Sequence, residues 1–425
     1  MILNTVSPKI AYEKNDYNLS WGDVIPREVL TRLNFRIKTG LVWITLLSLV
    51  SPLAHSQVPI LSYLGQSIVP SGTQYGGTLV GGLSSIDYVP GSGHYLAVSD
   101  DRSVNNPARF YELSLDLSKF QRSSEPGGEG VTFISVTNLQ TQNWGPFERN
   151  MVDPEGLRYD GSRNKIYWVN EGQRSRFGYR GPSVREMNPD GSHVRDFRVP
   201  DYYHPSGSRS GLRPGDRGAH DNLSLESLAL SIDGKTLYTA TENGLAQDSP
   251  PSGVGNGSSA RILSLDIATG LPGEEYLYPV EEVATPPILP GLFSTNGLTD
   301  MVAIGDRQFI SIERSYAIGA QTRGSITTGK TVRLFYIDAR GATDISGLES
   351  IVGHTVKAVD KILIVDLSDL KNDDGSSLAL DNIEGITLGP LFEGKSTVIL
   401  VSDNNFSRHQ FTQFIALVMS NRPVD

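Results

Sequence analysis

The chain has no cysteine among its 425 residues. This absence excludes disulfide bonds, thiolate metal ligands and a cysteine nucleophile. The sequence also lacks the G-x-S-x-G motif of a nucleophilic serine, the H-E-x-x-H motif of a zinc hydrolase and a glycine-rich phosphate loop. Its seven histidines show no paired metal-ligand spacing. The common sequence signatures of thiol, serine and zinc hydrolases are therefore missing.

Long hydrophobic runs are also scarce. The apolar run at residues 41–50 is half the length of about 20 residues that a spanning helix needs. Arg32, Arg36 and Lys38 precede this run, and Ala54-His55-Ser56 follows it, which is the order of a secretory signal peptide. An uncleaved anchor is the alternative. We therefore predict an N-terminal extension plus signal peptide at residues 1–56, periplasmic or secreted localisation, and no integral membrane span after cleavage.

Residues 1–31 are polar and show no pattern, and they lie ahead of the basic residues of the signal. The interpretation we favour is that the true start lies downstream of Met1. The net charge of −10 argues against nucleic acid or an anionic membrane as partner. We expect the remaining residues, 57–425, to form a single domain that acts as a monomer on a small molecule.

A repeated pattern occupies this domain: a short turn motif is followed by an apolar segment that ends on a carboxylate. The five copies run from Gly82-Leu83-Ser84 to Asp100, Pro154-Glu155-Gly156 to Glu171, Leu225-Glu226-Ser227 to Glu242, Leu298-Thr299-Asp300 to Glu313, and Ile383-Glu384-Gly385 to Asp403. The motif recurs at intervals of 71, 71, 73 and 85 residues. Such regularity is typical of repeat architectures.

Each repeat contains strand-like segments separated by turn residues. In the second repeat, the segments 156–159, 165–169, 183–187 and 194–199 are separated by Asp160-Gly161 and Asn188-Pro-Asp-Gly191. Four strands joined in this way predict one blade of an all-β propeller. We expect five blades of four antiparallel strands, with six as the alternative, and long loops at 121–149, 200–222, 243–260 and 317–330. The segment 59–63 is predicted to close the last blade and so remove an open edge.

Two acidic positions recur in the repeats. One holds Glu155, Glu226 and Glu384, and the other holds Asp100, Glu171, Glu242, Glu313 and Asp403. If the strands radiate from one axis, these carboxylates converge and repel one another unless a cation neutralises them. Ca²⁺ suits such an irregular set of oxygen ligands. The structural alternative is that each acid bonds a neighbouring turn or pairs with an arginine such as Arg102, Arg174 or Arg314.

The motifs resemble the phytase-like family, a group of exported β-propellers described as having esterase-like activity. The resemblance rests on the segments 153–157, 222–228, 233–234, 241–244, 381–386 and 401–404, and it spans roughly residues 81–419. One departure is Thr299, which stands where the repeat would place a glutamate.

The resemblance implies hydrolysis of phosphate esters or related esters with Ca²⁺. On this basis the catalytic candidates are Glu155, Glu226 and Glu384. The metal candidates are Asp100, Glu171, Glu242, Glu313 and Asp403, and the substrate-binding candidates are Arg174 and Arg314. Two alternatives remain open: a non-catalytic exported propeller that binds a ligand or protein through its long loops, and a lactonase-like hydrolase that uses Asn170, Asn243 and Asn404.

Overall fold

The computed structural model describes residues 58–176, 178–320 and 329–421. The predicted extension and signal peptide lie outside these residues. The described strands are, in chain order, β1 (Pro59–Val69), β2 (Gln74–Tyr75), β3 (Thr78–Leu79), β4 (Leu83–Val89), β5 (His94–Ser99), β6 (Arg109–Leu115), β7 (Val131–Asn138), β8 (Pro154–Asp160), β9 (Lys165–Asn170), β10 (Gln173–Ser175), β11 (Gly178–Arg180), β12 (Ser183–Met187), β13 (His193–Phe197), β14 (Leu225–Leu230), β15 (Thr236–Thr241), β16 (Ser258–Asp266), β17 (Pro272–Val280), β18 (Ser294–Gly305), β19 (Gln308–Ala317), β20 (Lys330–Asp338), β21 (Asp360–Asp366), β22 (Asn382–Phe392), β23 (Lys395–Asp403) and β24 (Thr412–Asn421).

Most of these strands form five antiparallel sheets of four strands. Blade 1 consists of β4, β5, β6 and β7; blade 2 of β8, β9, β12 and β13; blade 3 of β14 to β17; blade 4 of β18 to β21; and blade 5 of β22, β23, β24 and β1. The innermost strands β4, β8, β14, β18 and β22 contact one another in a closed cycle. The prediction of an all-β propeller with five blades is confirmed.

Helical structure within the described part of the chain is limited to three single-turn 3₁₀ segments, Leu117–Lys119, Asp201–Tyr203 and Leu367–Asp369. Two short ribbons, β2 with β3 and β10 with β11, lie outside the blades. No helix in the described ranges has the length and apolar character that crossing a bilayer requires.

The ring closes through strand β1, which pairs with β24 from Pro59↔Asn421 to Val69↔Thr412. The first described strand thus forms the outer edge of the last blade, as predicted. Blade 1 corrects one expectation, because the predicted loop at 121–149 contains its outer strand β7, which pairs with β6. The glycines at 127, 128 and 130 mark the turn into this strand rather than a continuous loop.

Five large hydrophobic clusters among the described residues each lie between two adjacent blades, and Val283, Ala317 and Ala320 form a small sixth cluster. Ile86 and Val401 represent the layer between blades 1 and 5, and Leu157 and Val98 represent that between blades 1 and 2. Three further clusters fill the spaces between blades 2 and 3, 3 and 4, and 4 and 5. Since both faces of each blade are buried, the strands alternate less strictly between apolar and polar residues than a one-sided sheet would.

A buried ion pair joins the blades near the axis. Arg158 of β8 donates to both carboxylate oxygens of Asp300 of β18 at 2.9 Å. The same guanidinium donates to the carbonyl oxygens of Ile86, Met301 and Ile386. Asp300 also accepts from the backbone N–H groups of residues 228 and 386. All five blades therefore contribute to one hydrogen-bonded network, which fixes the innermost strands relative to one another.

Candidate functional site: an acidic cavity on the propeller axis

The recurring acids meet at one end of the propeller. The innermost strand of each blade begins there and the second strand ends there, because neighbouring strands are antiparallel. A cavity of about 1090 Å³ opens at this end. Among its lining residues are seven of the predicted ones, namely Asp100, Glu155, Glu226, Glu242, Arg314, Glu384 and Asp403. The predicted convergence of matching side chains is thus present in the structure.

A β-bulge interrupts each innermost strand at the first of the two repeated positions. The bulges lie at Ser84 in blade 1, at Glu155 and Gly156 in blade 2, at Glu226 in blade 3, at Thr299 in blade 4 and at Glu384 in blade 5. A bulge places one extra residue in a strand and redirects its side chain. In blades 2, 3 and 5 the turn motif seen in the sequence therefore directs the side chains of Glu155, Glu226 and Glu384 toward the cavity.

Glycine follows the acid in blades 2 and 5 because the next blade approaches closely. A Cβ atom at Gly156 would lie 2.9 Å from the carbonyl oxygen of Glu226. A Cβ atom at Gly385 would lie 2.8 Å from the Cα of Ser85. Such contacts leave no room for a side chain, so the Glu-Gly pair combines a redirected carboxylate with tight packing between blades.

Blade 4 corrects the second acidic series by one residue. In each blade, the innermost-strand residue just before the bulge pairs with one residue of the second strand. In blades 1, 2, 3 and 5 that partner is a polar residue, and the acid of the series follows it directly in the chain. These partners are Ser99, Asn170, Thr241 and Ser402. In blade 4 the opposite residue is already Glu313, and the next one is Arg314. Because successive side chains of a strand point to opposite faces, Arg314 lines the cavity and Glu313 does not.

Glu313 instead lies in a saturated hydrogen-bond network between strands. Its carboxylate accepts from the Tyr278 hydroxyl at 2.9 Å, the Asn296 amide at 2.9 Å and the backbone N–H of Glu281 at 3.1 Å. It also pairs with the ammonium of Lys361. A carboxylate with these partners is stabilised as part of the blade, so the structure offers no metal-ligand role for it.

The second correction concerns Arg174, which the sequence suggested for substrate binding. Its guanidinium is buried and donates to the backbone carbonyls of Ser206, Ser208 and Arg217. Its backbone N–H donates to Asp221, a residue of the cavity wall. Arg174 therefore fixes the loop that follows β13, and it does not line the cavity.

Two groups of three carboxylates share Glu171. Asp153, Glu155 and Glu171 form one group, and Glu171, Glu226 and Glu242 form the other. In each group one oxygen from every residue lies within 4.8 Å of the others. Glu171 is 2% exposed and accepts a hydrogen bond from the backbone N–H of Ser224 at 2.9 Å. Carboxylate oxygens this close together can share one cation.

The compensation of these charges is incomplete. Within the described ranges, eight carboxylates and three Arg or Lys side chains line the cavity. Arg102 bonds Asp153 at 2.7 Å, and Lys330 bonds Asp381 at 2.9 Å. Arg314 lies 2.9 Å from Glu384, and 3.6 Å separates it from Glu242. The arginine pairing considered from the sequence therefore exists at Arg102 and Arg314, yet most of the lining acids have no Arg or Lys partner among the residues that the structure describes.

Burial and mutual repulsion raise the pKa values of these acids. Desolvation by burial is the first cause at Asp100, Glu155, Glu171 and Glu226, and neighbouring carboxylates add to it, so that all four pKa values lie well above the ordinary range. At Asp153, Glu242 and Asp403, positive charges and hydrogen-bond donors partly offset the rise in pKa that burial causes. The pKa of Asp153 is about 6, and those of Glu242 and Asp403 are about 7. Burial therefore disfavours the charged form at each of these acids.

Sequence reasoning did not assign Asp153, Asp381 or Lys330 to the site. Asp153 and Asp381 lie two and three residues ahead of bulged glutamates, so a carboxylate just before the bulge was an available signal. Lys330 carries no such signal, since it reaches the cavity from the third strand of blade 4.

The asparagines of the lactonase-like alternative lie outside the cavity lining. Asn170 accepts from the backbone N–H of Asp153, and Asn243 accepts from that of Ser252. Asn404 accepts from the backbone N–H groups of Gly82 and Phe406. The three amides thus stabilise local backbone. They are not placed as ligands in the cavity, which was the reason for considering a lactonase-like hydrolase.

The fold and the site define a five-bladed β-propeller with an acidic cavity at one end of its axis. The chain belongs to the Phytase-like family, described as "Esterase-like activity of phytase", whose sequence pattern matches residues 78–406. A search of the curated proteins finds no match.

Two solved structures are distantly similar. The propeller of Dos1 shares 7% identity at a TM-score of 0.33, with 79% of this chain and 68% of that chain covered. The hydrazine synthase of Kuenenia stuttgartiensis shares 11% identity at a TM-score of 0.30, with 81% and 84% covered. At these scores neither structure informs the function.

Proposed function

We propose that this protein is a Ca²⁺-assisted hydrolase of phosphate esters or related esters, with the acidic cavity as its active centre. The observation that carries the proposal is the pair of carboxylate groups that share Glu171. Three of their members, Glu155, Glu226 and Glu242, line the cavity to which the fourth blade presents Arg314, and Asp153 and Glu171 lie just outside its lining. Carboxylates suit a hard cation, and a guanidinium suits an anionic ester. Membership of the Phytase-like family supports the same class of reaction.

The residues present fit calcium. The two groups supply oxygen ligands alone, from Asp153, Glu155, Glu171, Glu226 and Glu242. The Oε1 atom of Glu242 is buried and has no hydrogen-bond partner within the described part of the chain. A buried acceptor without a donor is costly unless something else occupies it. These five residues would hold the ion.

When bound, calcium would neutralise phosphate oxygens and lower the pKa of water at the site. The chain's own residues would perform the remaining work. Arg314 would donate to the anionic oxygens of the ester, and Glu384, 2.9 Å away, would hold that guanidinium in place. Glu155 and Glu226, redirected by their bulges, would each offer one carboxylate oxygen to the ion, and the other oxygen is the candidate to take a proton from water. Asp100 and Asp403 would complete the acidic wall on the side of blades 1 and 5.

The proposal includes location and assembly. Export to the periplasm or the medium rests on the signal pattern at residues 32–56, and action as a monomer on a small-molecule ester rests on the sequence alone. Cell fractionation with an antibody against the chain would test export. Recovery of the protein in the cytoplasmic fraction would contradict it.

The central experiment combines calorimetry with an ester panel. Wild type, the double variant Glu226→Gln/Glu384→Gln and the surface control Glu282→Gln are titrated with CaCl₂. The same proteins are then assayed with phytate, 4-nitrophenyl phosphate and 4-nitrophenyl acetate, with Ca²⁺ and with EDTA. We expect Ca²⁺-dependent turnover in wild type and in Glu282→Gln, and its loss in the double variant.

Two outcomes would contradict the hydrolase proposal. Unchanged Ca²⁺ affinity and turnover in the double variant would remove the cavity as the site. Ca²⁺ binding without turnover of any ester would favour the alternative of a non-catalytic propeller that binds a ligand.

A further inference from the structure

Blade 4 differs from the other blades in what it presents to the cavity. At the bulge, where blades 2, 3 and 5 carry glutamate and blade 1 carries Ser84, it carries Thr299, and where the other four blades carry an acid it carries Arg314. Tyr316 lies two residues after Arg314 on β19 and therefore shares its face of the strand. Lys330 of β20 is paired directly opposite Tyr316. All three side chains line the cavity, so this wall combines positive charge with an aromatic ring.

A second aromatic residue, Phe293, extends the same wall outward. It lines the cavity although its side chain is 62% exposed, and its ring centroid lies 6.2 Å from that of Tyr316. Leu289, Leu292 and Ile288 continue the apolar surface beyond it and are also exposed. An apolar surface that continues into a polar cavity is typical of a ligand-binding groove.

Backbone hydrogen bonds hold this apolar segment in place. The N–H of Ile318 donates to the carbonyl of Phe293 at 3.1 Å, and the N–H of Ile288 donates to the carbonyl of Ile318 at 3.0 Å. These bonds continue the ladder of β18 and β19 beyond the pair Ser294↔Ala317. Phe293 is thus positioned by the strand pair that carries Arg314.

We infer that Phe293 and Tyr316 determine substrate specificity by binding the apolar group of an ester whose anionic end binds Arg314. The predicted substrate class is a phosphomonoester with an aryl or similar flat apolar group, in preference to a polyol phosphate. Two residues along a strand span about 7 Å, so an ester whose anionic group lies against Arg314 can also contact Tyr316 with the group attached to it. The inference rests on the proposed function, since it names the substrate class of that cavity.

Binding of non-hydrolysable probes tests this inference independently of turnover. Phenylphosphonate and methylphosphonate differ in the ring and share the anionic group. Calorimetry at saturating Ca²⁺ should show that wild type binds phenylphosphonate about fivefold more tightly, and that Phe293→Ala abolishes this preference. Trp144→Ala, which removes an aromatic side chain that is 75% exposed outside the cavity lining, is the matched control.

Kinetics supply the second readout. Phe293→Ala should raise KM for 4-nitrophenyl phosphate about fivefold with kcat unchanged, and leave KM for glycerol 2-phosphate within twofold, because it removes binding that ground and transition states share. Equal affinity of wild type for the two phosphonates, or binding of neither, would overturn the inference. A ring preference without hydrolysis of any ester would support Phe293 and Tyr316 as the binding site for the apolar group and would reject the hydrolase proposal.

Discussion

The propeller buries charge at two places near its axis, and the two places differ in how that charge is satisfied. Asp300 and Arg158 pair with each other and with backbone groups of all five blades. The carboxylates around Glu171 outnumber their cationic partners, and the Oε1 atom of Glu242 has no hydrogen-bond partner among the described residues. A satisfied buried ion pair maintains structure, whereas the incompletely compensated acids are where our proposal places the cation.

The comparison also separates two kinds of pKa shift. Burial raises the pKa of Asp300, and Arg158 opposes the effect. At Glu155 burial raises the pKa and neighbouring acids raise it further. Mutation of the ion pair should therefore lower the stability of the fold. Mutation of the acids around Glu171 should instead weaken cation binding and leave stability unchanged or higher.

Removal of Asp300 should have the largest effect. Asp300→Ala leaves the buried guanidinium of Arg158 without its counter-charge, and we expect the free energy of unfolding to fall by about 3–5 kcal/mol. Urea denaturation followed by tryptophan fluorescence measures this change. The double variant Arg158→Met/Asp300→Ala should recover part of the loss. A loss below about 1 kcal/mol in the single variant would contradict a structural role for the pair.

The stability of the metal-free protein should depend on pH. Glu242 has a pKa of about 7 in the folded protein against 4.5 ordinarily, so its full stabilising contribution is present below pH 4.5. That contribution, roughly 3 kcal/mol for one such group, should be lost as the pH rises to about 7. Denaturation in EDTA across this window should show a steeper decline for wild type than for Glu242→Gln. Equal slopes would contradict the shift.

Calcium affinity should depend on the shared residue Glu171. Glu171→Gln removes one charge from both carboxylate groups, and we expect Ca²⁺ affinity to fall about tenfold to a hundredfold. Stability without calcium should be unchanged or higher, because repulsion is relieved. Calorimetry and denaturation in EDTA measure the two effects, with Glu282→Gln as control. Wild-type affinity in Glu171→Gln would argue against cation binding at this cluster.

The smallest effect is expected at Glu313, the acid that lies outside the cavity. Glu313→Gln weakens its pair with Lys361 and should cost about 1 kcal/mol of stability. Its Ca²⁺ affinity should stay within twofold of wild type. A fall in Ca²⁺ affinity as large as that of Glu171→Gln would mean that Glu313 belongs to the cation site. This result would contradict the strand register of blade 4, which turns Glu313 away from the cavity.

The sequence alone favoured five blades over six and predicted a closing strand at 59–63 and the acidic character of the axis, and the structure extends that strand to residue 69. These features follow from local rules that repeat along the chain. Turn residues end the strands, the strands themselves consist of β-forming residues, and a bulge motif opens each repeat ahead of its acidic position. Five copies of the pattern give each prediction independent support, which is why the fold and most of the carboxylates that line the cavity could be predicted from it.

Only the tertiary structure decided the roles of Glu313, Arg314, Arg174 and Lys330. A shift of one residue in blade 4 exchanges an acid for an arginine at the cavity, and spacing along the chain does not show which residue faces inward. Arg174 bonds carbonyls of a loop more than 30 residues away, and Lys330 reaches the cavity beside Tyr316 through strand pairing. Register and long-range packing set these positions, because a side chain's partners depend on which strands lie beside it.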